Sequence, residues 1–230
     1  AENVGAVTNG DGAIVDQSVT MSAEGSTVIQ NPDGGNVNTL VGNGDGASVD
    51  QETTMEASAT NGPVVQQATN NAAWVGNDVS MDQTQNLAGE ATGGPVVQTG
   101  INAATVFGDN AQIYENISAA AVATGDIAQV FNNAGFGTGA GARYTQVIMG
   151  GANSTGGSIL QFGGNDANLG LTQNRVRSNQ SVIFTGIADQ NILQIGGNTV
   201  NAGNNAVIGQ EVQIGAEGDT IVQIGGNLGT

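Results

Sequence analysis

Apolar and polar residues alternate in runs of about ten positions, and these runs come in pairs that recur along the chain. The first run of each pair carries a triplet of the type Ala-x-Val-x-Gln. The seven copies are Ala13-x-Val15-x-Gln17, Ala47-x-Val49-x-Gln51, Val79-x-Met81-x-Gln83, Ala111-x-Ile113-x-Glu115, Ala142-x-Tyr144-x-Gln146, Asn174-x-Val176-x-Ser178 and Ala206-x-Ile208-x-Gln210, and their last positions are separated by 34, 32, 32, 31, 32 and 32 residues. Alternation continues past the triplet through Val19, Met21 and Ala23, through Thr53 and Met55, and through Val212, Ile214 and Ala216. Period two over that length predicts an extended strand with one buried face.

The second run is built on Val/Ile-x-Gln and is clearest in three late copies, Ile159-Leu160-Gln161-Phe162-Gly163-Gly164-Asn165, Ile192-Leu193-Gln194-Ile195-Gly196-Gly197-Asn198 and Ile221-Val222-Gln223-Ile224-Gly225-Gly226-Asn227. Its glutamines, Gln30, Gln66, Gln98, Gln129, Gln161, Gln194 and Gln223, are spaced by 36, 32, 31, 32, 33 and 29. Pairs such as Glu24-Gly25, Asn61-Gly62, Gly93-Gly94, Gly156-Gly157 and Glu217-Gly218 separate the two runs and supply the turn. A third column follows, Asn36, Asn71, Asn102, Asn133, Asn165, Asn198 and Asn227, and short apolar segments succeed several of its members: Ala72 to Val75, Ala103 to Phe107, Ala167 to Leu169. Asn tolerates left-handed backbone, so this column is expected to form the corner of a coil. Each repeat then reads as strand, turn, strand, corner, short strand, turn.

A unit of about 32 residues cannot bury its own apolar face, so the units must stack. The expected fold is all-β, a single β-solenoid domain over residues 1–230 with about seven coils and internal Gln/Asn ladders. Its approximate repeats are 10–43, 44–75, 76–107, 108–138, 139–170, 171–202 and 203–230. At a strand spacing of about 4.8 Å the rod would be about 34 Å long. The ladder positions are Gln17, Gln51, Gln83, Glu115, Gln146 and Gln210 on one strand, with the seven glutamines of the Val/Ile-x-Gln column on the other. Stacked amides satisfy one another along the axis, which lets an interior accept Gln where it would otherwise demand Leu.

Composition sharpens this picture. With 38 Gly, 3% aromatic and 10% charged residues, burial must come from small stacked side chains rather than a conventional core. There is no Cys, His or Lys, so neither a disulfide framework nor the common nucleophile-base arrangements can be built. The net charge of −17 disfavours nucleic acid and anionic membrane surfaces as partners, and no apolar run approaches the length of a membrane-inserting span. The acids are unevenly placed: residues 1–115 hold fourteen and no Arg, whereas residues 116–230 hold six together with Arg143, Arg175 and Arg177, whose side chains should point outward.

Candidate chemistry is sparse. Glu115 reads as a tolerated replacement within a ladder rather than a catalytic acid, with a pKa raised unless the flanking amides donate to it. Asp16, Asp50 and Asp82 repeat at outward strand positions, and Asp11, Asp45 and Asp109 in Gly-Asp turns. Such columns are candidate weak Ca²⁺ ligands, because a hard cation would relieve their repulsion; otherwise no cofactor is expected. The Gly-Gly-x-Gly-x-Asp repeat of calcium-binding β-rolls is missing. The chain is expected not to be an enzyme. Carboxylate-only polysaccharide cleavage is the weakest alternative, since the acids do not gather beside aromatic platforms and Trp74 is the one Trp.

The half-motif Gly-Asp/Asn-x-Ala-x-Val-x-Gln, a Gly turn, and Ile-x-Gln-x-Gly-Gly-Asn together resemble the curlin repeats of bacterial curli-type fibres, over nearly the whole chain. The resemblance places Gln17, Gln51, Gln83, Gln146 and Gln210, the second-strand glutamines and the Asn column at that family's inward positions. The longer repeat with a third segment departs from a curlin unit. What the resemblance implies is a secreted, cell-surface-associated subunit of an amyloid-like fibre that polymerises head to tail for biofilm matrix or surface adhesion, with itself and a secretion or nucleator protein as partners. The start Ala-Glu-Asn, without Met or signal peptide, is expected of a mature secreted product. A phage tail-fibre or receptor-binding shaft is the alternative reading of a rigid repetitive rod.

Overall fold

The computed structural model describes residues 3–7, 10–30, 38–169 and 175–230. Among these there are sixteen strands and no helix. In chain order they are β1 (Asn3–Val7), β2 (Ile14–Gly25), β3 (Val28–Gln30), β4 (Asn38–Asn43), β5 (Ser48–Ala59), β6 (Val64–Val75), β7 (Ser80–Ala91), β8 (Val96–Phe107), β9 (Gln112–Ala123), β10 (Ile127–Thr138), β11 (Arg143–Ser154), β12 (Ile159–Asn168), β13 (Arg177–Ala188), β14 (Asn191–Asn201), β15 (Val207–Glu217) and β16 (Thr220–Gly229).

Consecutive long strands lie on opposite sides of the rod. Sheet I has seven strands in the order β2-β5-β7-β9-β11-β13-β15; sheet II has nine, running β1-β4-β6-β8-β10-β12-β14-β16 with β3 also paired to β6. Every pairing is parallel and repeats the sequence period, as in Gln51↔Gln83 and Gln98↔Gln129. The chain is therefore a β-solenoid with a repeat of about 32 residues. β1, which precedes the first expected repeat, pairs Asn3–Val7 with Asn38–Gly42 and extends sheet II at its N-terminal end.

Each full coil has two sides, not three. The expected short third strand does not exist as a separate element: Ala72 to Val75 and Ala103 to Phe107 are the second halves of β6 and β8, and Ala167 lies within β12. The Asn column is not a corner. Asn102, Asn133, Asn165 and Asn198 sit mid-strand with buried side chains. Their amides bond across the interior, so the backbone can stay extended and no turn is needed.

Three apolar layers fill the space between the sheets. One, containing Leu40, Val49, Trp74, Met81, Val106, Ile113 and Tyr144, lies toward the turns that lead into sheet I. A second, with Val64, Val96, Ile127, Ile159 and Ile192 facing small Ala57, Ala91 and Ala121, lies toward the opposite turns. Between them are Met55, Leu87, Ile117, Phe131, Ile148, Val182 and Phe184.

Large side chains are matched to glycines on their neighbours. A Cβ at Gly42 would fall 2.2 Å from Trp74 Cζ3, and a Cβ at Gly150 2.8 Å from Phe184 Cδ1. A Cβ at Gly137 would collide with the Tyr144 hydroxyl. Gly42→Ala should accordingly lower stability by about 1–3 kcal/mol, through overpacking against a Trp that is fully buried. Chemical denaturation monitored by Trp74 fluorescence measures this directly.

Candidate functional site: amide ladders and the rungs that end them

Alternation sends every second residue of each strand inward, and the in-register repeat places equal residues above one another. In sheet II the result is an unbroken column. Gln66 Nε2 donates to Gln30 Oε1 (2.8 Å), Gln98 to Gln66 (2.8 Å), Gln129 to Gln98 (2.8 Å), Gln161 to Gln129 (2.6 Å), Gln194 to Gln161 (2.7 Å) and Gln223 to Gln194 (2.8 Å). The second amide hydrogen reaches a carbonyl of the opposing sheet, as from Gln98 to Ala120 O at 3.0 Å. The interior members Gln66 to Gln194 are fully buried, and each meets its hydrogen-bonding demand within the protein.

The sheet I column is Gln17, Gln51, Gln83, Glu115, Gln146, Gln180 and Gln210. This corrects the expected alignment at one point: Gln180, not Ser178, is the register partner of Gln146, and Ser178 lies beside Tyr144. The Gln146-to-Gln180 step is 34 residues, the same as Gln17 to Gln51, and a two-residue longer connection moves the column without breaking it. Donation again runs from each coil to the preceding one, at 2.8 Å for Gln51 to Gln17 and 2.7 Å for Gln180 to Gln146.

A third column faces the sheet I glutamines from sheet II. It is Asn70, Asn102, Asn133, Asn165, Asn198 and Asn227, the Nδ2 of each of the first five donating to the Oδ1 of the following coil at 2.8–3.1 Å. Asn70 replaces the expected Asn71, which lies on the exposed side of β6; the side chain of Asn36 falls outside the described residues. The Asn column donates toward the C-terminal end and the Gln columns toward the N-terminal end.

Glu115 interrupts this order. Its carboxyl is fully buried, and Gln146 Nε2 donates to Oε2 at 2.6 Å. On its other side the register neighbour is Gln83, and both Gln83 Oε1 and Glu115 Oε1 are buried without a hydrogen-bond partner. Burial pushes the Glu115 pKa up from 4.5 to about 8, against the opposing pull of Gln146 and the Ala104 backbone. The carboxyl is therefore neutral at pH 7 and carries the proton that two adjacent acceptor oxygens require. Tyr144, raised in the same direction by burial and then by Glu115, packs in the adjoining apolar layer with its hydroxyl unpartnered. No second carboxyl shares this buried column, so the site lacks the paired acids of a glycosidase.

The remaining acids lie outside. Asp16, Asp50 and Asp82 are successive register partners on the outer face of sheet I. Partial burial and then neighbouring Asp16 and Glu52 raise the pKa of Asp50; burial, Asp50 and Glu52 raise that of Asp82, while a hydrogen bond from Thr84 lowers it. In the turns, Asp11 Oδ1 accepts Asp45 N–H (3.0 Å), Asp45 Oδ1 accepts Asn77 N–H (2.7 Å) and Asp109 Oδ1 accepts Ala140 N–H (2.7 Å). These carboxylates staple one turn to the next. Among the described residues no group of three acids is placed to hold a metal ion.

The last described coil is open. Ile208, Gln210, Val212 and Ile214 face inward but are only half-buried, and all of β16 is exposed, including Ile221, Ile224 and Leu228. Gln210 and Gln223 donate to the coil before them, and no described residue donates to their own Oε1 atoms. Comparison with family models, with curated proteins and with solved structures finds no match to this chain.

Proposed function

We propose that this chain is the structural subunit of an extracellular amyloid-like fibre, assembled head to tail, with a biofilm-matrix or surface-adhesion role. The reading is carried by the in-register stacking of two parallel sheets, whose amide columns repeat from coil to coil in a form that another copy can continue. A second copy presents the matching chemistry, because its first coil belongs to columns whose amides donate toward the N-terminal end. Unpaired parallel edges are templates for another strand. The curlin-type motifs support the same reading, since they repeat the inward Gln and Asn positions. Assembly needs no partner chemistry beyond more copies, although a nucleator protein would shorten the lag.

Ile214→Lys combined with Gln223→Lys tests it. In the single molecule Gln223 is exposed and Ile214 only half-buried at the open end of the interior, so the fold should tolerate both changes, whereas end-to-end stacking would bury two unpaired ammonium groups at several kcal/mol each. Negative-stain microscopy should show long unbranched filaments for the native chain. At equal concentration the double variant should show none. Filaments of equal length from both proteins would overturn the reading, and short trimeric rods from the native chain would turn it toward a phage-fibre shaft.

A further inference from the structure

The three cations of this acidic chain stand together. Arg143 and Arg177 are register partners on the outer face of sheet I, and Arg175 lies in the turn that leads into β13. All three are exposed and line one groove, and no described carboxylate pairs with their guanidinium groups. Arg175 is also conformationally out of place, with φ of 65°. The corresponding turn positions of other coils hold Gly12, Gly46, Asp78, Asn110, Gly141 and Asn205, residue types that tolerate left-handed backbone. A long side chain held there against its preference points to a role for its head group.

On the same face, toward the N-terminal end, runs the crowded column of Asp16, Asp50 and Asp82, with Glu52 beside it. We propose that the arginine groove docks on the acidic half of sheet I of a second copy, the two rods packed side by side and antiparallel. A two-fold axis along the strand direction through β9, the middle of seven strands, sets β11 against β7 and β13 against β5. Position along the strand is preserved by that operation. Arg143 then faces Ser80, with Asp82 at the next outward position, and Arg177 faces Ser48, with Asp50 next to it. Tyr114 on β9 meets its own copy.

Stacked sheets lie about 10 Å apart, within reach of an extended Arg. Six strands of twelve residues and one of eleven present about 1,300 Å² per copy, which exceeds the roughly 800 Å² per partner of a standard interface. Charge-assisted Arg–carboxylate pairs relieve the repulsion within the acidic column. The contact uses only the outer face of sheet I, so it does not depend on end-to-end assembly.

Cross-linking of Tyr114→Cys with a short bis-maleimide tests the pairing, since the chain has no other Cys and end-to-end stacking does not bring two Tyr114 positions together. The expected result is an efficient dimer at low salt whose yield falls at high salt. Adding R143E/R177E, or separately D50R/D82R, should lower the yield at least tenfold. An equimolar mixture of the two charge-altered proteins should restore it, because every contact in the mixed pair is again between opposite charges. A yield unchanged by either pair of substitutions, or a mixture that stays uncross-linked, would overturn the proposal. So would salt-sensitive retention on immobilised polygalacturonate that is lost in R143E/R177E without any native cross-link, which assigns the groove to an acidic polysaccharide. Circular dichroism checks that the variants fold; should R143E/R177E fail, the D50R/D82R protein alone still decides, because its pairing must also be lost.

Discussion

Glu115→Gln should flatten the pH dependence of stability and raise stability above pH 8 by about 5 kcal/mol. The carboxyl moves from 4.5 in the unfolded chain to about 8 in the fold, and that gap converts at about 1.4 kcal/mol per pH unit. Between those two values the folded protein holds a proton that the unfolded chain has released, so stability falls as pH rises. The contribution is complete below pH 4.5 and lost once pH passes about 8. Asp50 and Asp82 are displaced in the same direction but from 3.8 and at the surface, so the decline toward alkaline pH belongs to Glu115. A glutamine supplies an uncharged donor at every pH and restores the column between Gln83 and Gln146. Guanidinium denaturation of both proteins from pH 5 to pH 9.5 reads the effect, and parallel curves would refute the buried neutral carboxyl.

The second large effect is Gln129→Leu, expected to remove about 3 kcal/mol. Gln129 is fully buried, donates to Gln98 Oε1 and Gly151 O, and accepts from Gln161. Leucine preserves the bulk but strands Gln98 Oε1, a buried acceptor with a desolvation penalty of about 1–3 kcal/mol, and also removes the cross-sheet bond to Gly151 O. Gln161 is partly protected, because its amide also reaches Gly150 O and Thr185 O. Gln223→Leu at the exposed end should cost under about 1 kcal/mol, since water replaces what is lost there. Equal losses at the two positions in denaturant titrations would show that volume, not amide pairing, governs the column.

These expectations depend on inward amides, and much of that arrangement could be read before any coordinates. Period two marked Gln51, Gln66, Gln83 and Gln98 as one-sided positions, and a separation near 32 placed them in vertical columns. What sequence reasoning missed was local. Asn70 and Asn71 are adjacent and identical, so only the pairing of Asn70 with Asn102 shows which of them faces inward. Ser178 kept the 32-residue interval while Gln180 did not, yet the register chose Gln180. The signal that could have found it was the earlier 34-residue step from Gln17 to Gln51.

The chain alone thus settled that strands form, that they stack, and which residue types line the interior, because alternation and period are properties of local order. Folding in space decided the rest. Whether an Asn turns the chain or bonds inward depends on the carbonyl opposite it, as with Asn102 and Asn116 O at 3.0 Å. Whether Glu115 is ionised depends on how little water reaches it. Arg143, Arg175 and Arg177 became one groove only when a full coil laid residues 34 apart side by side. Each of these turns on contacts between distant segments, which no local pattern encodes.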